Sequence, residues 1–185
     1  MLLDKLREKC GVFGVFGHKD AATLTALGLH ALQHRGQEGA GIVSYDGKNF
    51  NTQLSLGLVS DHFTKTSVID KLPGDSALGH VRYSTTGKTL LKNVQPLFAD
   101  LIGGGIALAH NGNLTNGIDL RNKLVKEGSI FQSTSDTETF LHLIALSKER
   151  SILKKIIDAL YSIKGAYSFG LLTKKKLIAI RDPLG

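Results

Sequence analysis

The chain has 185 residues, enough for one domain with a substantial core, and 42% of them are hydrophobic, which argues against wholesale disorder. Its single cysteine, Cys10, excludes an intrachain disulfide framework, a multi-cysteine zinc site and an all-cysteine iron–sulfur site. The net charge is +7, but the excess gathers at Lys148, Arg150, Lys154, Lys155, Lys164 and Lys174 to Lys176, with no tryptophan and no interleaved aromatic residues, so no nucleic-acid partner is expected.

The longest apolar run, 101–109, is too short to span a membrane. The charge-rich residues 1–9 lack the apolar core of a secretory signal. A reducing, cytoplasmic setting with no membrane partner is therefore expected.

In chain order, residues 10–17 read as a short buried strand rich in glycine. Apolar residues at 24, 27, 31 and 32 give 21–34 one helical face, which Arg35-Gly36-Gln37-Glu38-Gly39 breaks. Residues 41–45 and 49–56 are strand-like and joined by Asp46-Gly47, a hairpin signal. Residues 76–83 and the apolar 105–110 predict two further strands. A weaker pattern over 114–127 predicts a helix closed by Gly128. Ser135-Asp136-Thr137-Glu138 has the form of a capping box for a helix through Ser147. Ile152, Leu153, Ile156, Ile157, Leu160 and Tyr161 make an amphipathic stripe, and 166–172 with 177–181 predicts a terminal hairpin. Strands in runs with clustered helices indicate α+β with antiparallel sheets. There is no internal repeat or interdomain linker, and the chain stops at Arg181-Asp182-Pro183-Leu184-Gly185, directly after a strand. A domain incomplete at its C-terminus is the expectation.

Several side chains could carry chemistry. Cys10 is compatible with an inert small hydrophobe. If residues 1–9 were removed, however, it would carry a thiol and a free α-amine together, a nucleophile with its own general base. His80 and His110, both at predicted strand ends, are rival bases for a Cys/His pair or else satisfied core histidines. His30 and His34 lie one helical turn apart, but no glutamate stands between them as a metalloprotease helix requires, and no metal is expected. Arg82 could fork onto a carboxylate, or be a surface arginine. Asn111-Gly112 is first of all a turn signal, and it could also aim a side-chain NH₂ and a backbone N–H at one oxyanion. Asp136, in a first helical turn, could complement the helix dipole or hold an ammonium group. Gly11, Gly14 and Gly17 lack the dinucleotide-binding spacing, and no phosphate-loop motif occurs.

The order of these motifs is more specific than any one of them. Cys10-Gly11-Val12-Phe13-Gly14, Leu32 through Ile42 with His34-Arg35-Gly36-Gln37-Glu38-Gly39, Gly79-His80-Val81-Arg82-Tyr83, Ala109-His110-Asn111-Gly112-Asn113 and Ser135 to Glu138 follow one another. This series resembles the class II glutamine amidotransferases, which are N-terminal-nucleophile hydrolases. Within them it looks most like the branch that passes ammonia to phosphoribosyl pyrophosphate in purine biosynthesis. Gln37-Glu38 and the leader argue against the glucosamine-phosphate synthase branch.

The resemblance covers residues 10–185 and implies a leader at 1–9 and a four-layer αββα sandwich, the last strands of one sheet being in question. It implies hydrolysis of L-glutamine to glutamate and ammonia. Cys10 would be the nucleophile, and Asn111 and Gly112 would hold the oxyanion. Arg82 and Asp136 would bind the α-carboxylate and α-ammonium groups, Arg35 would support the nucleophile, and Tyr83 would lie on a loop that closes over substrate. Nothing matches the family's phosphoribosyltransferase domain. Magnesium and phosphoribosyl pyrophosphate would belong to that absent half, leaving this chain without a cofactor. Its expected associations are a homo-oligomer or a separate phosphoribosyltransferase half. The alternative is an inactive remnant or binding module of the same fold.

Overall fold

The computed structural model describes residues 10–83 and 90–183. The expected leader, the polar segment 84–89 and residues 184–185 lie outside the described residues.

Two four-stranded antiparallel sheets are formed. The first contains β1 (Gly11–Phe16), β2 (Gly39–Tyr45), β3 (Phe50–Leu56) and β4 (Ser76–Arg82) in the order β1-β4-β2-β3. The second contains β5 (Leu97–Leu101), β6 (Gly104–Leu114), β7 (Gly165–Thr173) and β8 (Leu177–Arg181) in chain order. Alternation along each strand builds the layers. On β2, Ala40 and Ile42 face α1 (Ala21–Ala31), whereas Val43 and Tyr45 face the other sheet. On β6, Ala107 and Ala109 meet the first sheet, whereas Ile106 and Leu108 pack under helices.

Short helices α2 (Val59–His62) and α3 (Thr66–Ile69) join α1 on the first sheet through Val59 and Val68. Helices α4 (Gly117–Lys126), α5 (Asp136–Leu146) and α6 (Ile152–Leu160) cover the second. Its core centres on Phe140 stacked on Phe169, ring centroids 4.4 Å apart. Fully burying one such ring contributes about 1.5–3 kcal/mol. The result is the expected four-layer αββα sandwich. Among the described residues, no helix is long and apolar enough to cross a membrane.

Four local expectations are corrected. The buried face of α1 is Ala21, Ala22, Thr25, Ala26 and Leu29, while Leu27 is 60% exposed. Small side chains let the helix lie close to β1 and β4, so hydrophobicity alone misplaced the face. Asn111-Gly112 is not a free turn: β6 runs through it, with Asn111 opposite Ser168 and Gly112 opposite Tyr167, and α4 therefore starts at Gly117. The short elements β5, α2 and α3 were not anticipated. The capping box is half formed: Ser135 Oγ accepts the Thr137 N–H, but Glu138 turns to a different partner.

Candidate active site

Strand register gathers the candidate residues from several elements. Cys10 immediately precedes β1, where Gly11 lies opposite Val81 of β4, and Arg82 ends β4 opposite Gly39. Cys10 has φ +66°, and it is the one non-glycine residue with positive φ among those described. Such a backbone is strained in an L-residue by about 1–2 kcal/mol. Arg35 clamps it from both sides: the Cys10 N–H donates to the Arg35 carbonyl at 2.9 Å, and Arg35 Nε donates to the Cys10 carbonyl at 2.8 Å.

Arg35 ends a 3₁₀ turn (Gln33–Arg35) that follows α1. Gln33 locks this turn, because its Oε1 accepts the Val59 N–H at 2.6 Å and its Nε2 donates to the Gly36 carbonyl. Gly36 presses against β4 so closely that a Cβ there would lie 2.7 Å from the Val81 carbonyl carbon. Only glycine permits that approach, and the approach holds Arg35 beside Cys10.

The Cys10 Sγ accepts the Tyr83 N–H at 3.3 Å and lies 3.6 Å from the Tyr83 carbonyl as a donor. Burial pushes the thiol above its ordinary pKa, more than the Tyr83 N–H and the cationic Arg82 and Arg35 pull it down, and Glu38 adds to the rise. The thiol at this corner is thus largely protonated near neutrality and needs a base to act as a nucleophile.

Arg82 Nη1 donates to the Asn93 carbonyl at 3.1 Å. Its Nε is buried with no hydrogen-bond partner among the described residues, a donor left over for an incoming acceptor. On β6, Gly112 has φ +132°, and a Cβ there would lie 2.1 Å from the Ala166 carbonyl oxygen. Glycine is the residue that fits, next to the half-buried Asn111.

Asp136 opens α5. Its Oδ2 accepts the Leu114 N–H at 2.9 Å, and its Oδ1 lies 3.3 Å from His110 Nδ1. Burial pushes this carboxyl up, but His110 and the Leu114 and Thr137 N–H groups together outweigh it and hold the pKa below the ordinary value. An ionised carboxylate, half-buried at a helix N-terminus, results.

A sequence profile described as a glutamine amidotransferase domain matches residues 80–185. The amidophosphoribosyltransferase of Rhizobium etli is 59% identical over 98% of this chain and 37% of its own length. That of Lacticaseibacillus casei is 52% identical over 97% of this chain and 93% of its own. The chain belongs to the glutamine amidotransferase domain family. Among solved structures, the glutamine phosphoribosylpyrophosphate amidotransferase from B. subtilis, complexed with ADP and GMP, superposes with a TM-score of 0.86. It is 44% identical over 93% of this chain and 37% of that one. The amidotransferase domain thus spans little more than a third of the length of several relatives.

Within the amidotransferase domain, Cys10, Arg35, Arg82 and Tyr83 form one connected cluster. Asn111 adjoins His80, and Asp136 is tied to β6 through His110 and Leu114. The Cys/His alternative fails. His80 is fully buried, with Nε2 3.1 Å from the His110 carbonyl, and burial pushes its pKa down to about 3. So weak a base cannot take the Cys10 proton, and among the described residues neither His80 nor His110, which contacts Asp136, bonds to Cys10.

Two residues of the site's scaffold, Asn93 and Gln95, escaped sequence reasoning, and a third, Glu138, was read only as a capping-box partner. Glu138 accepts the Gln132 and Ser133 N–H groups and the Ser133 hydroxyl at 2.7–2.8 Å, pinning the loop before α5. Gln95 Oε1 accepts the His110 N–H at 2.7 Å. Asn93 bonds to both Arg82 and Thr134. A cavity of about 510 Å³ lies elsewhere, between β3, β5 and α5, lined by Leu54, Phe98, Leu141 and His142. Among the described residues, no cluster of three or more His, Cys, Asp or Glu could hold a metal ion.

Proposed function

We propose that this domain is the glutaminase half of an amidophosphoribosyltransferase, releasing ammonia from glutamine for transfer to phosphoribosyl pyrophosphate in purine biosynthesis. The observation that carries the reading is Cys10, a strained residue held at a sheet end by Arg35 and Tyr83 beside the Arg82 guanidinium, whose Nε has no hydrogen-bond partner among the described residues. Removal of residues 1–9 frees the Cys10 α-amine. That amine takes the thiol proton as sulfur attacks the side-chain amide carbon of glutamine. The Asn111 side chain and the Gly112 N–H stabilise the tetrahedral oxyanion. The C–N bond breaks, the amine returns the proton, and ammonia leaves a γ-glutamyl thioester, which water hydrolyses to glutamate and the free thiol.

Glutamine carries a carboxylate and an ammonium on one carbon, so Arg82 reads one and Asp136 the other. Arg35 supports the nucleophile, and Tyr83 belongs to the segment that closes over substrate. Transfer to phosphoribosyl pyrophosphate, with its magnesium, is assigned to a phosphoribosyltransferase half, joined to this domain in a longer chain or meeting it as a separate subunit. A homo-oligomer in the cytoplasm completes the proposal.

Intact mass read together with glutamate release tests it. Loss of residues 1–9 and glutamate release that Cys10→Ala abolishes are expected. A retained leader with no glutamate release would instead identify an inactive binding module of the same fold.

A further inference from the structure

We propose that Asn93 is a positioning residue that sets the separation between the two ends of the substrate clamp. The inference rests on the glutaminase reading above. Asn93 is buried at 6% exposure and closes a 3₁₀ turn (Leu91–Asn93). Its main chain faces one arm of the clamp: the Asn93 carbonyl accepts Arg82 Nη1 at 3.1 Å.

Its side chain faces the other arm. Asn93 Nδ2 donates to Thr134 Oγ1, and Asn93 Oδ1 accepts the Thr134 N–H, both at 2.9 Å. Thr134 stands two residues before Asp136, and the intervening backbone has little freedom. Glu138 holds Ser133 on one side, and Ser135 caps α5 on the other. One buried residue therefore joins the Arg82 guanidinium to Thr134, in the short segment that leads into Asp136.

Gln95, two residues on, reinforces the arrangement from the same segment. It holds the His110 N–H while His110 Nδ1 meets Asp136. Neither Asn93 nor Gln95 bonds to Cys10.

The geometry has a specific consequence. An α-amino acid places its carboxylate and ammonium at one fixed spacing, so a clamp of the wrong width weakens the hold on both. Loss of an interaction made equally in the ground and transition states raises KM and spares kcat. A merely structural asparagine would not give that split.

The test uses the full chain processed to Cys10, with glutamate release measured against glutamine concentration and folding checked by urea midpoint. Asn93→Ala removes the side-chain bonds to Thr134 and keeps the carbonyl on Arg82. The expected result is a KM raised roughly tenfold with kcat within about twofold of wild type. Thr134→Val, which keeps the backbone bond, shifts KM in the same direction by less, and Thr134→Ser restores it. An unchanged KM in Asn93→Ala, or a fall in kcat as large as the rise in KM, overturns the proposal. Should Asn93→Ala not fold, the Thr134→Val and Thr134→Ser pair decides by the same criterion. Wild-type protein that releases no more glutamate than Cys10→Ala removes the glutaminase reading itself, and the clamp with it.

Discussion

The Cys10 corner and the N-terminal corner of α5 are held by opposite means. At Cys10 the bonds run mainly to main chain: Arg35 takes and gives one bond each, and Tyr83 offers its N–H to sulfur. The residue stays strained, and Arg82 Nε has no hydrogen-bond partner among the described residues. At α5 two carboxylates collect backbone amides, Asp136 from Leu114 and Glu138 from Gln132 and Ser133. The first arrangement leaves bonding capacity for a ligand, and in the second Asp136 stays partly exposed whereas Glu138 spends nearly all of its capacity on the protein. Substitutions beside the first should therefore cost rate more than stability, and substitution of Glu138 in the second should cost stability first.

The largest effect expected is on the oxyanion side. Asn111→Ala should lower kcat by about 10²–10³ while leaving the urea midpoint close to wild type. A midpoint that falls along with the rate would show Asn111 to be scaffold, and the contrast between the corners would fail there. The counterpart at α5 is Glu138→Ala. It strips three hydrogen bonds from a residue only 8% exposed, leaving two backbone N–H groups and a hydroxyl without an acceptor. An unfolding free energy lower by about 3 kcal/mol is expected, with kcat much less affected once the protein is folded. Equal stability with lost activity would move Glu138 from the scaffold into the chemistry.

The same contrast explains what could be read in advance. The β2–β3 hairpin was legible because its signal is local: Asp46 Oδ1 accepts the N–H groups of Lys48 and Asn49, and Gly47 takes φ +93°. The motif residues were legible as an ordered series, and Cys10, Arg35, Arg82 and Tyr83 do come together. The scaffold was not legible. Asn93 reaches Thr134 across 41 residues and Gln95 reaches His110 across 15, so no periodicity or neighbouring residue signals either contact. Glu138 was misjudged because the capping-box spacing offers it a local partner, whereas the loop at 132–133 offers three donors. Strand β5 is five residues long and follows Pro96, and Leu97-Phe98-Ala99-Asp100-Leu101 shows no clear apolar–polar alternation to mark it.

Between the two corners lies His80, and its protonation provides the smallest of these effects. It sits between the sheets, donating from Nε2 to the His110 carbonyl. Burial pushes its pKa down to about 3; His110 and Arg82 press the same way, against the weaker pull of that carbonyl and the Asn111 side chain. The folded chain thus keeps His80 neutral where the unfolded chain, with an ordinary value near ~6.5, takes up a proton. Stability should then be intact above that ordinary value and fall with pH through the window down to about 3, by about 2 kcal/mol between pH 7 and pH 5. Asp136 does not contribute in that interval: its pKa is lowered, so its share is lost only below the usual carboxylate range. His62 is lowered too, by burial and by Lys65 and Lys71, and contributes with the same sign. His80→Gln separates the two, since it retains an N–H for the His110 carbonyl and has no proton to gain. Urea midpoints at pH 7 and pH 5 should draw closer together in that variant, with the share due to His62 remaining. If its midpoints stay as far apart as those of the wild type, the pH dependence comes from outside the sheet interface.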